Sequence, residues 1–283
     1  MIRRWSIPLA TVVLTLGVLG LAGNASASTS HSNATHVSPG ITALHGINIG
    51  GPLRSHGLLS SGEHGVRGTE VESENWSGYA ATGSDGAFSS VSSSWTEPTA
   101  TCSSGRHGRG GSDTYAAFWV GLDGYSSDSV EQTGTLIECV GSTAYYYGWY
   151  EMYPSALVTY SNTVKPGDAI SASVTFTGTE TYTLTLTDST QGWTQTQTIN
   201  ETGLDRSSAE VITEAPCCTS SGGILPLADF GTVSYGSSTA NGTSLGSQSP
   251  TEIIMVDNSG RDKDSTSAIS SGGGFSNTWI RSS

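Results

Sequence analysis

The sequence predicts an all-β fold, an antiparallel β-sandwich, on three observations. Apolar residues alternate with Ser and Thr at period 2, Gly, Asn, Asp and Pro separate these runs, and no long stretch has helical periodicity. The stretch from Thr69 to Ser283 has the length that single sandwich or barrel domains commonly reach, so one domain is expected there.

The expected strands follow in chain order. "AAFWVGL" (116–122) and "AYYYGWYEMY" (144–153) are apolar and aromatic runs separated by turn residues, and "VEQTGTLIE" (130–138) reads as a further strand. Ala169 to Phe176 alternates most clearly, with Ile170, Ala172, Val174 and Phe176 on one side and serines and Thr175 on the other. "TYTLTLT" repeats the pattern through Tyr182, Leu184 and Leu186. "AEVITEA" (209–215), "FGTVSY" (230–235) and "TEIIMVD" (251–257) complete the set.

The N-terminal residues read as processing segments. Met1 to Ala27 has Arg3 and Arg4, an apolar run from Ile7 to Leu21, and a small-residue cleavage site at Ala25-Ser26-Ala27, the pattern of an export signal. The run is shorter than the roughly 20 residues of a membrane span. Secretion to the extracellular space is therefore expected, with no membrane contact after cleavage. Residues 28–68 are rich in Ser, Gly, Asn and His and hold five of the six histidines: His31, His36, His45, His56 and His64. With so little apolar surface this segment orders only by docking on the rest of the chain, and it reads as a pro-segment. Residues 69–283, the expected mature domain, retain His107 alone, in the loop "SSGRHGRGG".

That domain carries seven basic residues, Arg106, Arg109, Lys165, Arg206, Arg261, Lys263 and Arg281, against all of the chain's 24 Asp and Glu except Glu63. Such a surface is a poor partner for nucleic acid or an anionic membrane. It also suits acid: few carboxylates can be ion-paired, so few pairs are lost on protonation. Nothing in the sequence calls for an oligomer, and a monomer is expected.

Of the four cysteines, Cys102 and Cys139 stand at strand edges and are expected to be bridged. The adjacent Cys217 and Cys218 leave a vicinal bridge, cross-pairing or free thiols all open. No histidine stands near them to complete a zinc set, so no metal is expected.

Period 2 sorts the candidate chemistry. Trp119, Gly121 and Asp123 share a face, as do Trp149, Glu151 and Tyr153, and Glu210, Ile212 and Glu214. Taken singly, each acid reads as a solvated residue on an outer face. Clustered with Trp, Tyr and Gln on neighbouring strands, they point to a site, because a carboxylate among aromatics is costly unless it is paired or functional.

Six short motifs in order, "ENWSGYA", "FWVGLDG", "VEQTGT", "YYYGWYEMYP", "PGDAI" and "AEVITEAP", resemble the glutamic peptidases of the eqolisin type across roughly Val71 to Phe230. The resemblance implies a sandwich of lectin- or glucanase-like jelly-roll architecture and an acid-active endopeptidase of proteins and peptides that uses no cofactor. It places the catalytic glutamine on Gln132 and the catalytic glutamate on Glu214. It implies that Trp119, Asp123, Trp149, Glu151 and Tyr153 line or support the cleft. The chain departs from the family in Glu131, where fungal members have an apolar residue, in Thr213 within the glutamate strand, and in its cysteine pattern. On a strand, Glu131 faces away from Gln132.

The chemistry is coherent on its own terms. Peptide hydrolysis needs a base for the attacking water, a donor for the oxyanion and a proton for the leaving amine. A carboxylate of ordinary pKa, about 4.3, is still partly ionised in mild acid, where a histidine is fully protonated. An amide donates without titrating. The rival reading is a sandwich glycoside hydrolase with Glu151 and Glu214 as its two carboxylates; a third is a lectin-like module without catalysis.

Overall fold

A computed structural model describes residues 51–57, 70–103, 113–217 and 223–283. The export signal, the pro-segment apart from 51–57, the His107 loop and Cys218 lie outside the described residues.

The strands in chain order are β1 (Ser55–Gly57), β2 (Glu70–Ser73), β3 (Trp76–Thr82), β4 (Ser90–Thr96), β5 (Thr114–Leu122), β6 (Val130–Val140), β7 (Thr143–Tyr153) and β8 (Val158–Thr159). They continue as β9 (Ala169–Phe176), β10 (Thr181–Asp188), β11 (Trp193–Asn200), β12 (Ser208–Glu214), β13 (Thr232–Ala240), β14 (Thr243–Ser244), β15 (Thr251–Met255), β16 (Asp264–Thr266) and β17 (Phe275–Trp279). One sheet runs β1-β2-β15-β3-β12-β5-β6-β7-β8 and the other β11-β10-β9-β4-β13-β17-β16, with β14 beside β13. All named pairings are antiparallel except β15 with β2. This is the predicted β-sandwich.

The main core lies between the sheets. Ala116, Phe118, Val120 and Leu122 of β5 meet Val91 and Trp95 of β4, Ile170, Ala172 and Val174 of β9, and Tyr182, Leu184 and Leu186 of β10. The second face of the first sheet is also closed, by Trp76, Ala117, Trp119, Leu136, Tyr147, Trp149 and Ile212. Burial on both faces explains why β5 reads as a nearly continuous apolar run, whereas β9 and β10, buried on one face, alternate cleanly. Cys102 and Cys139 are bridged as expected. Cys217 is also in a disulfide, whose partner lies outside the described residues.

Among the described residues no helix is long and apolar enough to cross a membrane. Nor is any group of three or more His, Cys, Asp or Glu placed to hold a metal.

Candidate active site

The first sheet's second face brings the candidate residues into register. Glu214 of β12 lies opposite Ala117 of β5 and Trp76 of β3. Gln132 of β6 lies opposite Gly121 of β5 and Glu151 of β7. Gly134, also of β6, lies between Trp119 and Trp149. Strand β5 therefore separates the glutamate strand from the glutamine strand, and Trp119 of β5 spans the gap. Its Nε1 donates to Glu214 Oε2 at 2.9 Å. Its six-membered ring lies over Gly121, where a β-carbon would stand 2.7 Å from Trp119 Cζ3 and 3.3 Å from Gln132 Cβ. Trp76 packs edge-on against Trp119 with ring centroids 4.9 Å apart.

The glycine of "QTG" has a steric cause. A β-carbon on Gly134 would stand 2.0 Å from the Phe118 carbonyl oxygen and 2.7 Å from Trp119 Cβ, so a side chain there would separate β5 from β6.

Gln132 Nε2 donates to Glu151 Oε2 at 3.0 Å, which fixes the side-chain amide. Burial, and then the charge of Glu214, push the Glu151 carboxyl well above the usual carboxylate range. Glu210 sits in the same cross-strand row as Gln132, one strand away across Gly121. Burial, with the charges of Asp123 and Glu131, pushes it well up too. Glu214, by contrast, accepts from Trp119 and, at 3.4 Å, from Asn75 Nδ2. Donors to a carboxylate favour its ionised form. Among the three carboxyls of this face, Glu214 thus has a donor at each oxygen, whereas Glu151 has one at Oε2 alone and neither oxygen of Glu210 has one.

The remaining predicted residues fall into place unequally. Glu151, Glu210, Glu214 and Asp123 are all fully buried, so none has the solvated placement that each acid taken singly suggests. Trp149 is fully buried beside Gly134, and its Nε1 lacks a hydrogen-bond partner. The ring of Tyr153 packs against the aromatic face and comes close to Gly51. Asp123 lies just past β5 with φ 69°, and its carboxylate accepts from the backbone N–H of Arg206 (2.6 Å) and Ser207 (2.8 Å), holding the entry to β12. Glu131 points into the core between the sheets, opposite Leu122 and Met152, and burial and Asp123 push its carboxyl well up.

Sequence reasoning missed Asn75. It stands inside the quoted "ENWSGYA", but just before β3, where strand periodicity assigns no face. Its donation to Glu214 and its bonds to residues 51–54 emerge only in three dimensions.

The first sheet thus gathers the carboxyls of Glu151, Glu210 and Glu214 and the amide of Gln132 on one buried aromatic face. A family profile described as the Peptidase A4 family matches residues 74–279, and the chain belongs to that family. Among solved structures, scytalido-glutamic peptidase with a transition state analog inhibitor is 30% identical, with 73% of this chain and 98% of that chain covered and a TM-score of 0.61. SCP-B, an eqolisin family member in complex with the tripeptide Ala-Ile-His, is 29% identical over 73% of this chain and 98% of its own, with a TM-score of 0.58. Aspergilloglutamic peptidase from Aspergillus niger is 26% identical over 59% of this chain and 99% of its own, with a TM-score of 0.51. No curated protein sequence matches the chain.

Proposed function

We propose that this glutamic endopeptidase is secreted, acts in acid, and hydrolyses peptide bonds with Glu214 and Gln132 as a dyad. Glu214 takes the proton of the attacking water and returns it to the leaving amine. Gln132 Nε2 donates to Glu151, and the mechanism assigns the same amide to the oxyanion that develops when substrate is bound. The observation that carries the reading is the unequal hydrogen bonding of three equally buried carboxyls: Glu214 receives a donor at each oxygen, Glu151 at one, and Glu210 at neither. A two-carboxylate glycosidase mechanism needs Glu151 as a second working carboxyl, and its bond to Gln132 and its family context favour a supporting role.

Residues 28–68 are taken as a pro-segment, the mature chain beginning between Gly65 and Glu74. Supporting this, Leu53 packs on the aromatic face and its N–H donates to the Gly124 carbonyl at 3.0 Å, so residues 51–54 lie over the site. The mature enzyme is taken as a monomer. The test is hydrolysis of casein against polysaccharide across pH 3–7 by the secreted, acidified chain. Acid-limited proteolysis with N-terminal trimming supports the reading. Polysaccharide hydrolysis, or full activity of a chain beginning at Ser28, defeats it.

A further inference from the structure

Residues 51–54 are held chiefly by main-chain bonds, the way an extended peptide of any sequence is held by a strand edge. The N–H of Arg54 donates to Asn75 Oδ1 at 2.9 Å, and the N–H of Glu74 donates to the carbonyl of Arg54 at 2.9 Å. Both polar groups of one residue are thus bracketed, as in an antiparallel pair. Asn75 Nδ2 stands 3.4 Å from the Pro52 carbonyl oxygen and 3.4 Å from Glu214 Oε1. One buried amide therefore touches both the docked main chain and the glutamate assigned as base.

Arg54 forms part of the wall of a cavity of about 470 Å³ whose other walls include Glu74, Leu225, Asp257, Arg261 and Lys263, and its Nη2 reaches Cys217 Sγ at 2.9 Å. The two lining cations are turned toward partners of their own. Arg261 Nε donates to Asp257 Oδ2 at 2.7 Å, and Lys263 Nζ stands 3.5 Å from the Glu74 carbonyl oxygen. Apart from Arg54, the charged side chains lining the cavity are two acids and two bases, which do not sum against a cation.

We propose that Glu74 and Asn75 form a substrate subsite beside Glu214, bracketing the main chain of one residue whose long side chain, arginine first and lysine second, enters this cavity. The proposal rests on the reading above, in which residues 51–54 leave on maturation and substrate takes their place.

The secreted full chain, processed in acid, is given a peptide library with every position varied. Arginine is expected to be enriched at a single position, with kcat/KM about tenfold above alanine there. A flat profile, or enrichment of Asp and Glu, overturns the cavity assignment. The bracket is tested by N-methylating the amide of that arginine in a good substrate. The lost bond to Asn75 is expected to raise KM about five- to tenfold in the wild type and to have no such effect in Asn75→Ala, which has already lost the acceptor. Equal penalties in both enzymes overturn the bracket. So does a chain that hydrolyses protein while retaining residues 51–54 in place. The library alone needs no variant, so a misfolded Asn75→Ala leaves the cavity claim decidable. A chain that hydrolyses no protein at all defeats the proposed function rather than the subsite.

Discussion

The indole of Trp119 donates to Glu214 from one end and lies over Gly121, beside Gln132, at the other. One rigid side chain thus ties the spacing of Glu214 and Gln132, the proposed dyad, to the pairing of β5 with its neighbours. Trp119→Phe keeps most of the ring and removes the donor. A hydrogen bond to a charged group contributes about 1.5–3 kcal/mol, so kcat is expected to fall roughly 10- to 150-fold. Because the lost donor favoured the ionised carboxylate, the acid limb of the pH–rate profile should move upward. A wild-type profile in this variant means that the bond does not tune Glu214.

Gly121→Ala attacks the same relationship from below. Its β-carbon would overlap the indole at 2.7 Å, and the indole is fully buried and unable to move outward freely. Overpacking of this kind costs about 1–3 kcal/mol of stability. Activity is expected to fall at least tenfold in protein that still folds, read by thermal melting beside kcat. Full activity at unchanged stability would show that the indole has room to shift without consequence.

Glu151→Gln should be mild in acid. Burial and Glu214 keep Glu151 protonated there, and glutamine reproduces a neutral partner for Gln132. A loss below about tenfold is expected at the acid optimum, with the difference from wild type growing as pH rises and ionisation of wild-type Glu151 becomes less unfavourable. Glu151→Leu, which removes the partner altogether, should cost more. Equal, complete loss in both variants would instead favour a working carboxyl at this position.

Stability should be greatest in acid. Burial pushes Glu97 up to about 8 and Asp264 to about 7, and Glu131, Glu151 and Glu210 are raised well above their ordinary range. A raised carboxyl means that the folded state binds more protons than the unfolded one. Its contribution is full below the unfolded pKa of about 4.3 and is lost as pH rises through the folded value. The window of loss is therefore about pH 4.5 to 8, at about 1.4 kcal/mol per pH unit for each group that titrates. Asp257, held at about 2 by Arg261, acts in the opposite sense only below about pH 4. The melting temperature is expected to fall from pH 4 to pH 8. Glu97→Gln, which can still accept from Thr135 and Trp95, should lessen that fall while changing little at pH 4. A melting temperature that rises toward neutrality contradicts the account.

The sandwich and its half-buried strands were legible because β9 and β10 alternate one apolar and one hydroxyl face. Strands β4 and β11 escaped notice: "SVSSSWT" and "WTQTQTIN" carry too few apolar side chains for a pattern, and they are strands because neighbours supply their hydrogen bonds. Shared faces grouped Trp149 with Glu151, and Glu210 with Glu214, within their own strands, and the pairing of β12, β5, β6 and β7 turns those faces and Trp119 to one side of the sheet. What periodicity could not supply was depth and partnership. It could not tell that Glu210 is sealed beneath its neighbours, that Asp123 turns to the loop before β12, or that Asn75 reaches Glu214 from outside any strand. Each of those follows from pairing between segments far apart in sequence.

Glu214, and neither Glu151 nor Glu210, is the proposed base. The most direct measurement is kcat/KM on a peptide substrate at the acid optimum for Glu214→Gln, Glu151→Gln and Glu210→Gln, each first shown to fold by its melting temperature. An amide cannot take the proton of water, and a positioned base contributes about 10²- to 10⁴-fold. Glu214→Gln is therefore expected to lose at least that much, with the other two variants within about tenfold of wild type. Activity retained in Glu214→Gln, with loss in Glu151→Gln or Glu210→Gln, would contradict the account.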